Sequence, residues 1–404
     1  HLAAARGQFE AELQNRLGTR VAELRQQVAS FEEQKRKHHE AIEQAKQVLA
    51  TERNAIETER AAWQLGWMNY TIGNFKKAYD YFDNSVRKHP SGLFIESSMF
   101  WSAKSAKQLK RMGLAQQIFT NVNMTFPYTY YGIRAGEMKS DKKLFPEIPR
   151  EQEPPFATPI LSTDAHFHHS RGVELSAIGF YEDARLEIKK LESTTRKNLS
   201  GVLWLTKLYN DAHAYSDTMR VMQLYKNFKT KLREKDLTKN FWKNFYPLAY
   251  AKTIHVNAKI FNIDPYFVKG LIRQESLFNS QVQSRAGAIG LMQIMPETGR
   301  VLYANSKNNE PFNTTILFNP ETNIQLGIQY IDQLNKRFKK NRTHILISYN
   351  AGPHNLKKWL KRFRHLQDPD VFIESIPYPE TRKYVKKVLR NYGIYQSLYS
   401  KINL

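Results

Sequence analysis

Three times in the first half of the chain, an apolar helical run meets a glycine and then a second run that opens on polar residues. The stretches are "AAWQLGWMNYTIGNFKKAYDYF" from Ala61, "FWSAKSAKQLKRMGLAQQIF" from Phe100 and "VELSAIGFYEDARLEI" from Val173, with Gly73, Gly113 and Gly179 between the runs. Glycine tolerates the positive φ that reverses a chain between two helices, so the recurrence predicts antiparallel helical hairpins. One hairpin cannot bury both of its apolar faces, whereas neighbours stacked in series can, and the expected result is a superhelix or solenoid. Elsewhere no convincing alternating strand occurs; the nearest is the short apolar run "THILIS" at 343–348. The expected fold class is therefore all-α.

At 404 residues the chain has room for two or three domains. Residues 1–60 read as long helical segments belonging to the superhelix: residues 9–62 are rich in Ala, Glu, Gln, Lys and Arg, and no proline precedes Pro90. Leu17, Val21, Leu24, Val28 and Phe31, then Ile42, Ala45, Leu49 and Ile56, follow a three-four spacing. Lys35, His38 and Glu52 interrupt that register, which argues for helices packed on a larger body rather than a continuous coiled coil, with Gly18 as a break. Hairpins are expected over 61–143. A proline-rich linker, "LFPEIPREQEPPFATPILS", follows at 144–162, then a helical linker domain at 163–244 and a separate unit at 245–404.

Lys and Arg number 61 against 38 Asp and Glu, a formal charge of +23 that draws a protein toward polyanions, although a solvated surface is the plainer reading of charge alone. The absence of cysteine excludes disulfides, thiolate metal sites and a thiol nucleophile. No apolar run approaches the roughly 18 residues of a membrane span, so no transmembrane segment is expected. The opening "HLAAARGQFEAEL" lacks the apolar core of a secretory signal and reads as a mature or trimmed start. Of the histidines in "HFHH" at 166–169, only His166 and His169 have the spacing to share an ion from one helix; surface or packing roles are favoured, and neither a metal nor any other cofactor is expected.

The chemistry concentrates in "FNIDPYFVKGLIRQES". Asp264 and Pro265 are an N-cap and a first helical residue, and Val268, Leu271, Ile272 and Glu275 then fall at i, i+3, i+4 and i+7. A carboxyl on that inward stripe has its pKa raised by burial, which suits a general acid. The competing reading is an ordinary helix-end glutamate paired with Arg273 or Arg285. Next comes "SRAGAIGLMQIMP", in which small residues allow close backbone approach to a ligand. Ser284 and Gln293 offer neutral partners for hydroxyls and amides, and Met292 and Met295 offer a pliable wall. In "ISYNAGPHNLKKWL" and "FIESIPYPETRKYV", Tyr349, Asn350, Glu374 and Tyr378 stand at element ends, where sites are commonly assembled, and Pro379 can start a helix.

Four blocks in order, "RQESLFNSQVQS", "GAIGLMQIMP", "SYNAGP" and "IESIPYPETRKYV", make residues 265–395 resemble the catalytic domain of the soluble lytic transglycosylases, family 23 of the glycoside hydrolases, with a lysozyme-like α-helical fold. The upstream hairpins, with "FWSAKSAKQLKRMG" and "FPYTYYGIRA", resemble the superhelical domain of the large soluble type from about residue 61. The resemblance implies cleavage of the bond between N-acetylmuramic acid and N-acetylglucosamine in peptidoglycan, with Glu275 as the single acid and base. It places Ser284 and Gln293 at substrate-binding positions, Met295 and Tyr349 along the sugar cleft and Glu374 near the peptide stem, with Asn350 and Tyr378 as further contacts. Its implied partners are glycan strands and their peptide stems rather than nucleic acid, and its implied location is the periplasm or cell envelope. "SYN" where "AYN" is frequent, Tyr378 where Phe is common and Pro379 where a small residue is usual affect cleft detail only.

Ordinary retaining or inverting hydrolysis needs two carboxyls roughly 5 to 9.5 Å apart. The blocks offer no obvious second one: Glu297 reads as a first-turn charge, and Glu374 lies near the C-terminus of the domain at a distance from Glu275 that the sequence does not fix. Three alternatives stay open: a goose-type lysozyme-like muramidase, a catalytically silent wall-binding scaffold, and a basic helical repeat that binds nucleic acid. The last is motivated by the +23 charge and by 23 Phe, 21 Tyr and 6 Trp.

Overall fold

A computed structural model describes residues 55–139, 159–195, 199–228, 238–306, 311–364 and 366–400, together with isolated helical positions between residues 14 and 40. The register proposed for residues 9–62, with its interruptions at Lys35, His38 and Glu52, lies almost wholly outside the described residues, as does most of the proline-rich stretch. Among the described residues all extended regular structure is helical, and pairing of extended chain is limited to isolated bridges at Gln283–Ile289 and Ile289–Ile294. "THILIS" lies within a helix. The chain divides into two compact units, His1–Phe119 and Thr120–Leu404.

The first unit holds α1 (Ala55–Thr71), α2 (Phe75–Lys88), α3 (Ile95–Gln108) and the start of α4 (Met112–Thr125). Its core is aromatic: Trp101 is fully buried, with Trp67 and Tyr70 edge-on to it at 4.8 and 4.9 Å. Buried Glu59 accepts the backbone N–H groups of Leu93 and Phe94 at 2.8 and 2.6 Å, so its charge neutralises unpaired donors at the entry to α3. Gly73 makes the expected left-handed turn, with φ of 81°. Gly113 does not. It lies inside α4, and the reversal falls on Lys110, with φ of 58°. Arg111 N–H then closes onto Ala106 C=O at 3.0 Å, the Schellman bond that Asn74 makes to Asn69 at 2.8 Å. Hydrogen-bond closure thus sustains the turn even where the residue is not glycine.

The second unit opens with α5 (Tyr130–Lys139) and continues with the hairpin α6 (Thr163–Ala177) and α7 (Tyr181–Lys190), then the short α8 (Glu192–Thr195). A second hairpin follows, α9 (Leu199–Asp211) and α10 (Tyr215–Phe228), with His213 at φ of 51° where the other turn has Gly179 at 85°. After α11 (Lys239–Phe245) come α12 (Ala251–Ile260), α13 (Pro265–Ser276), α14 (Pro296–Asn305), a 3-10 turn (Thr314–Phe318) and α15 (Pro320–Arg337). The last four are α16 (Arg342–Ala351), α17 (Pro353–Arg362), α18 (Pro369–Glu374) and α19 (Pro379–Tyr399).

Helix α13 packs along α19 at very close range. A methyl added at Gly270 would meet the Tyr392 backbone nitrogen at 2.9 Å, so only glycine fits this approach without displacement. One hydrophobic core runs through this unit from Tyr128 to Tyr399 and includes Trp242, Phe245 and Tyr246, so packing is continuous across residue 245.

Candidate active site

Local chemistry sets α13 in place. Asp264 caps the helix by accepting from Tyr266 N–H at 2.9 Å, Pro265 occupies the first turn, and the other Asp264 oxygen accepts from the Tyr392 hydroxyl at 2.7 Å and Gln396 at 2.9 Å. Val268, Leu271 and Ile272 are buried, and Glu275 follows on the same stripe in the last turn. The helix stops at two left-handed residues, Leu277 and Phe278, with φ of 51° and 60°, and Ser276 ties the exit to the next loop by donating to Leu291 C=O at 2.8 Å.

Close packing around the Glu275 carboxyl penalises its charged form and pushes its pKa up to about 7. The Tyr384 hydroxyl, from α19, donates to Glu275 Oε1 at 2.5 Å and pulls the other way by stabilising the carboxylate. The ion-pair alternative fails. Arg273 is buried elsewhere, its guanidinium over the rings of Tyr246 and Phe245 at 4.0 and 4.5 Å and bonded to Met219 Sδ, while Arg285 is exposed. Among the described residues no cation stands within ion-pair distance of the Glu275 carboxyl.

The loop after Glu275 folds on itself. Ser284 Oγ accepts Ala288 N–H at 3.0 Å, and Gln293, held at φ of 49°, donates to Gly290 C=O at 2.9 Å and Val282 C=O at 3.2 Å. Buried Asn323 of α15 stitches it down: its Nδ2 donates to Ile289 and Leu317 carbonyls at 2.9 and 2.7 Å, and its Oδ1 accepts Met292 N–H at 2.8 Å. The small residues were expected to admit a ligand. At Gly290 they admit the protein instead, because a Cβ there would lie 2.3 Å from Leu317 C=O; Gly287 alone of the two left-handed glycines faces open space.

Gln293, Met295, Tyr330, Tyr349 and Asn350 line a cavity of about 250 Å³, and Asn350, Tyr378 and Thr381 line another of about 470 Å³, with Asn350 in the wall of both. Tyr349 is fixed by donating to Met292 C=O at 2.7 Å, and Asn350 by accepting from Thr381 at 2.7 Å. Burial and the nearby Glu275 charge raise the pKa of both Tyr349 and Tyr384, so both phenols remain protonated donors. Met295 and Tyr378 keep exposed faces, Tyr378 standing edge-on to Trp359 at 5.1 Å, whereas Met292 is core.

Three expected site residues, Glu275, Glu374 and Ser284, are outside the lining of both cavities, although Glu275 is near enough to Tyr349 for its charge to act on that phenol. Glu374 is buried at the end of α18, its carboxyl bonded to the Tyr131 hydroxyl and to Lys386 Nζ at 2.5 Å, and it lines neither cavity. Its carboxylate is held in an internal ion pair with Lys386. Ser284 also lines neither cavity. Glu297 is the exposed first-turn charge expected of it.

Sequence reading missed Tyr384 and Asn323. Thr381, Tyr384, Val385 and Val388 form a buried i, i+3, i+4, i+7 stripe behind Pro379, a signal that Tyr384 faces inward but not toward what. Of the histidines, His169 lies against Trp204 at 5.2 Å and His168 bonds Glu187 at 2.5 Å; among the described residues no group of three potential metal ligands forms.

Residues 252–372 match the family model described as the transglycosylase SLT domain, and residues 375–404 match that of the soluble lytic transglycosylase helical domain. The second match falls on the end of the chain, not on the upstream hairpins. The soluble lytic murein transglycosylase of Salmonella typhimurium is 38% identical over 144 residues, 36% of this chain and 22% of that protein. The one from Escherichia coli K12 is 37% identical over 147 residues, with the same shares of 36% and 22%. The crystal structure of the 70 kDa soluble lytic transglycosylase from Escherichia coli aligns with 87% of this chain and 52% of its own length, with a TM-score of 0.67 at 22% identity. An inactive variant of the lytic transglycosylase Slt from Pseudomonas aeruginosa aligns with 88% and 54%, with a TM-score of 0.65 at 23% identity. The chain therefore spans about half the length of these structures and shares their all-α superhelical fold. Over residues 252–372 the chain thus matches the transglycosylase SLT domain, and across its C-terminal part it is similar to the soluble lytic murein transglycosylases.

Proposed function

We propose that the protein cleaves the β-1,4 bond between N-acetylmuramic acid and N-acetylglucosamine in peptidoglycan, leaving 1,6-anhydro-muramic ends. The observation that carries this reading is the Glu275 carboxyl: closely packed, without a cation, raised to about 7 and held by one phenol. At that pKa it holds a proton to donate near neutral pH, and its conjugate base is strong enough to take one back.

Glu275 protonates the bridging oxygen, and the bond from muramic C1 to that oxygen breaks. The substrate's own N-acetyl carbonyl shields the positive charge developing at C1. The ionised Glu275, now stabilised by the Tyr384 hydroxyl, takes the proton of the muramic C6 hydroxyl, and O6 closes onto C1. One C–O bond breaks, one forms, the proton count balances and no water is consumed. The attack is intramolecular, so its effective concentration is high and a second carboxylate is unnecessary. The occupation of Glu374 by Lys386 and the solvent exposure of Glu297 support the single-acid reading.

Gln293, Tyr349, Asn350 and Tyr378 are proposed to bind the glycan, Met295 to line it and the basic surface to hold the enzyme on the anionic wall in the periplasm or envelope. Among the described residues no helix is long and apolar enough to cross a membrane.

Digestion of purified sacculi followed by mass spectrometry tests the proposal. Anhydro-muropeptides should appear with the native enzyme and vanish with Glu275→Gln. Products heavier by one water would identify a muramidase of the goose-lysozyme type, and full activity in Glu275→Gln would remove the mechanism.

A further inference from the structure

A separate cavity of about 230 Å³ lies between α5, α16, α18 and α19, with Tyr130, Arg134, Arg342, Asp370, Leu389 and Tyr392 in its wall. It shares no residue with the two cavities lined by Asn350. Three arginines and two acids face it, and they are not equivalent. Arg134 is committed to acids, its Nε to Asp370 Oδ1 at 2.6 Å and its Nη1 to Glu137 Oε2 at 2.5 Å. Arg390 donates its Nε to the Tyr128 carbonyl at 2.7 Å. Arg342 lies with its guanidinium 4.8 Å from the centre of the Tyr392 ring, and among the described residues no carboxylate or carbonyl accepts from it. Ile133, Pro369, Ile373 and Leu389 give the wall an aliphatic part, beside Thr343 and the Tyr130 and Tyr392 rings.

We infer that this cavity is a second binding site, for a small ligand that joins one carboxylate to an apolar body. A guanidinium that lies over a phenol ring and donates to no carboxylate keeps N–H donors available, and its fork matches the two oxygens of a carboxylate. Asp370 and Glu137 line the same cavity, so a doubly charged phosphate would meet their field while a single negative charge balances the one uncommitted cation. The aliphatic wall supplies the apolar contact. Arg342 begins α16 and Asn350 lies near its end, eight residues and about 12 Å further along the axis, so the ligand would sit at the far end of a helix that carries cleft residues. The inference stands apart from the proposed reaction.

Isothermal titration calorimetry with N-acetyl-leucine and N-acetyl-leucinamide tests it on the whole chain. The acid should bind with a Kd on the order of millimolar and at least tenfold more tightly than the amide. Arg342→Met should erase that preference and Arg342→Lys should weaken it, each with its melting curve as a check on folding, while Glu275→Gln should bind as the native chain does. Equal binding of acid and amide, absence of heat for both up to tens of millimolar, or loss of binding in Glu275→Gln but not in the Arg342 variants would overturn the inference.

Discussion

Tyr384→Phe removes one atom from the site and keeps the ring that fills the core. The lost hydroxyl stabilises the Glu275 carboxylate at 2.5 Å, so its removal favours the protonated acid. Hydrogen bonds to charged groups contribute about 1.5 to 3 kcal/mol, which at 1.36 kcal/mol per pKa unit is a rise of about one to two units. Glu275, already near 7, should move to about 8 or 9. The first proton transfer needs the acid form, so the alkaline limb of kcat/KM against pH on sacculi should shift upward by the same amount. Below pH 6, where both enzymes hold the proton, the variant should be about tenfold to a hundredfold slower, because the carboxylate formed in the transition state has lost its donor. An alkaline limb that stays in place with only the rate lowered would show that the Tyr384 hydroxyl does not set the acidity of Glu275, and would refute this reasoning.

Three further outcomes follow from buried groups. Glu275 has a folded pKa above its unfolded value of 4.5, so the folded state holds the extra proton between pH 4.5 and about 7 and stability from this residue falls across that window; Glu275→Gln should match native stability near pH 4.5 and exceed it by about 2 to 3 kcal/mol above pH 7, read from urea melts. Lys269 is fully buried with one acceptor, Ala249 C=O at 2.9 Å, and burial lowers its pKa to about 7, so the native chain should gain stability as pH rises from 7 toward 10.5. Lys269→Met should be more stable by about 1 to 3 kcal/mol at pH 7, net of the orphaned carbonyl, with the advantage shrinking by pH 10. Asn323→Ala strands three buried backbone groups and should cost about 3 to 5 kcal/mol in urea melts while raising KM through the loosened Gln293 loop.

What the sequence made legible was local. Asp264 and Pro265 announce α13 because capping depends on adjacent residues, and the stripe through Val268, Leu271 and Ile272 turns Glu275 inward because helical period alone decides it. Contacts over long sequence separation were not legible. Tyr384 reaches Glu275 across 109 residues, and the Lys386 that occupies Glu374 lies on the same helix as Tyr384, so no spacing within one block distinguishes a free acid from a paired one. Arg273, two residues before Glu275, was the obvious ion partner by proximity, yet a helix turns side chains two apart to different faces and packs this one onto Tyr246. The turn at Lys110 shows a similar limit: Gly113 carries the composition of a turn, but the closing bond to Ala106 depends on where α3 ends.

The most direct test is the acidity of one side chain. Carboxyl-detected ¹³C NMR of the native chain, with the Glu275 resonance assigned by its absence in Glu275→Gln, should show a titration centred at about 7. A midpoint near the ordinary 4.5 would mean the carboxyl is ionised at working pH with no proton to give, and would contradict the account.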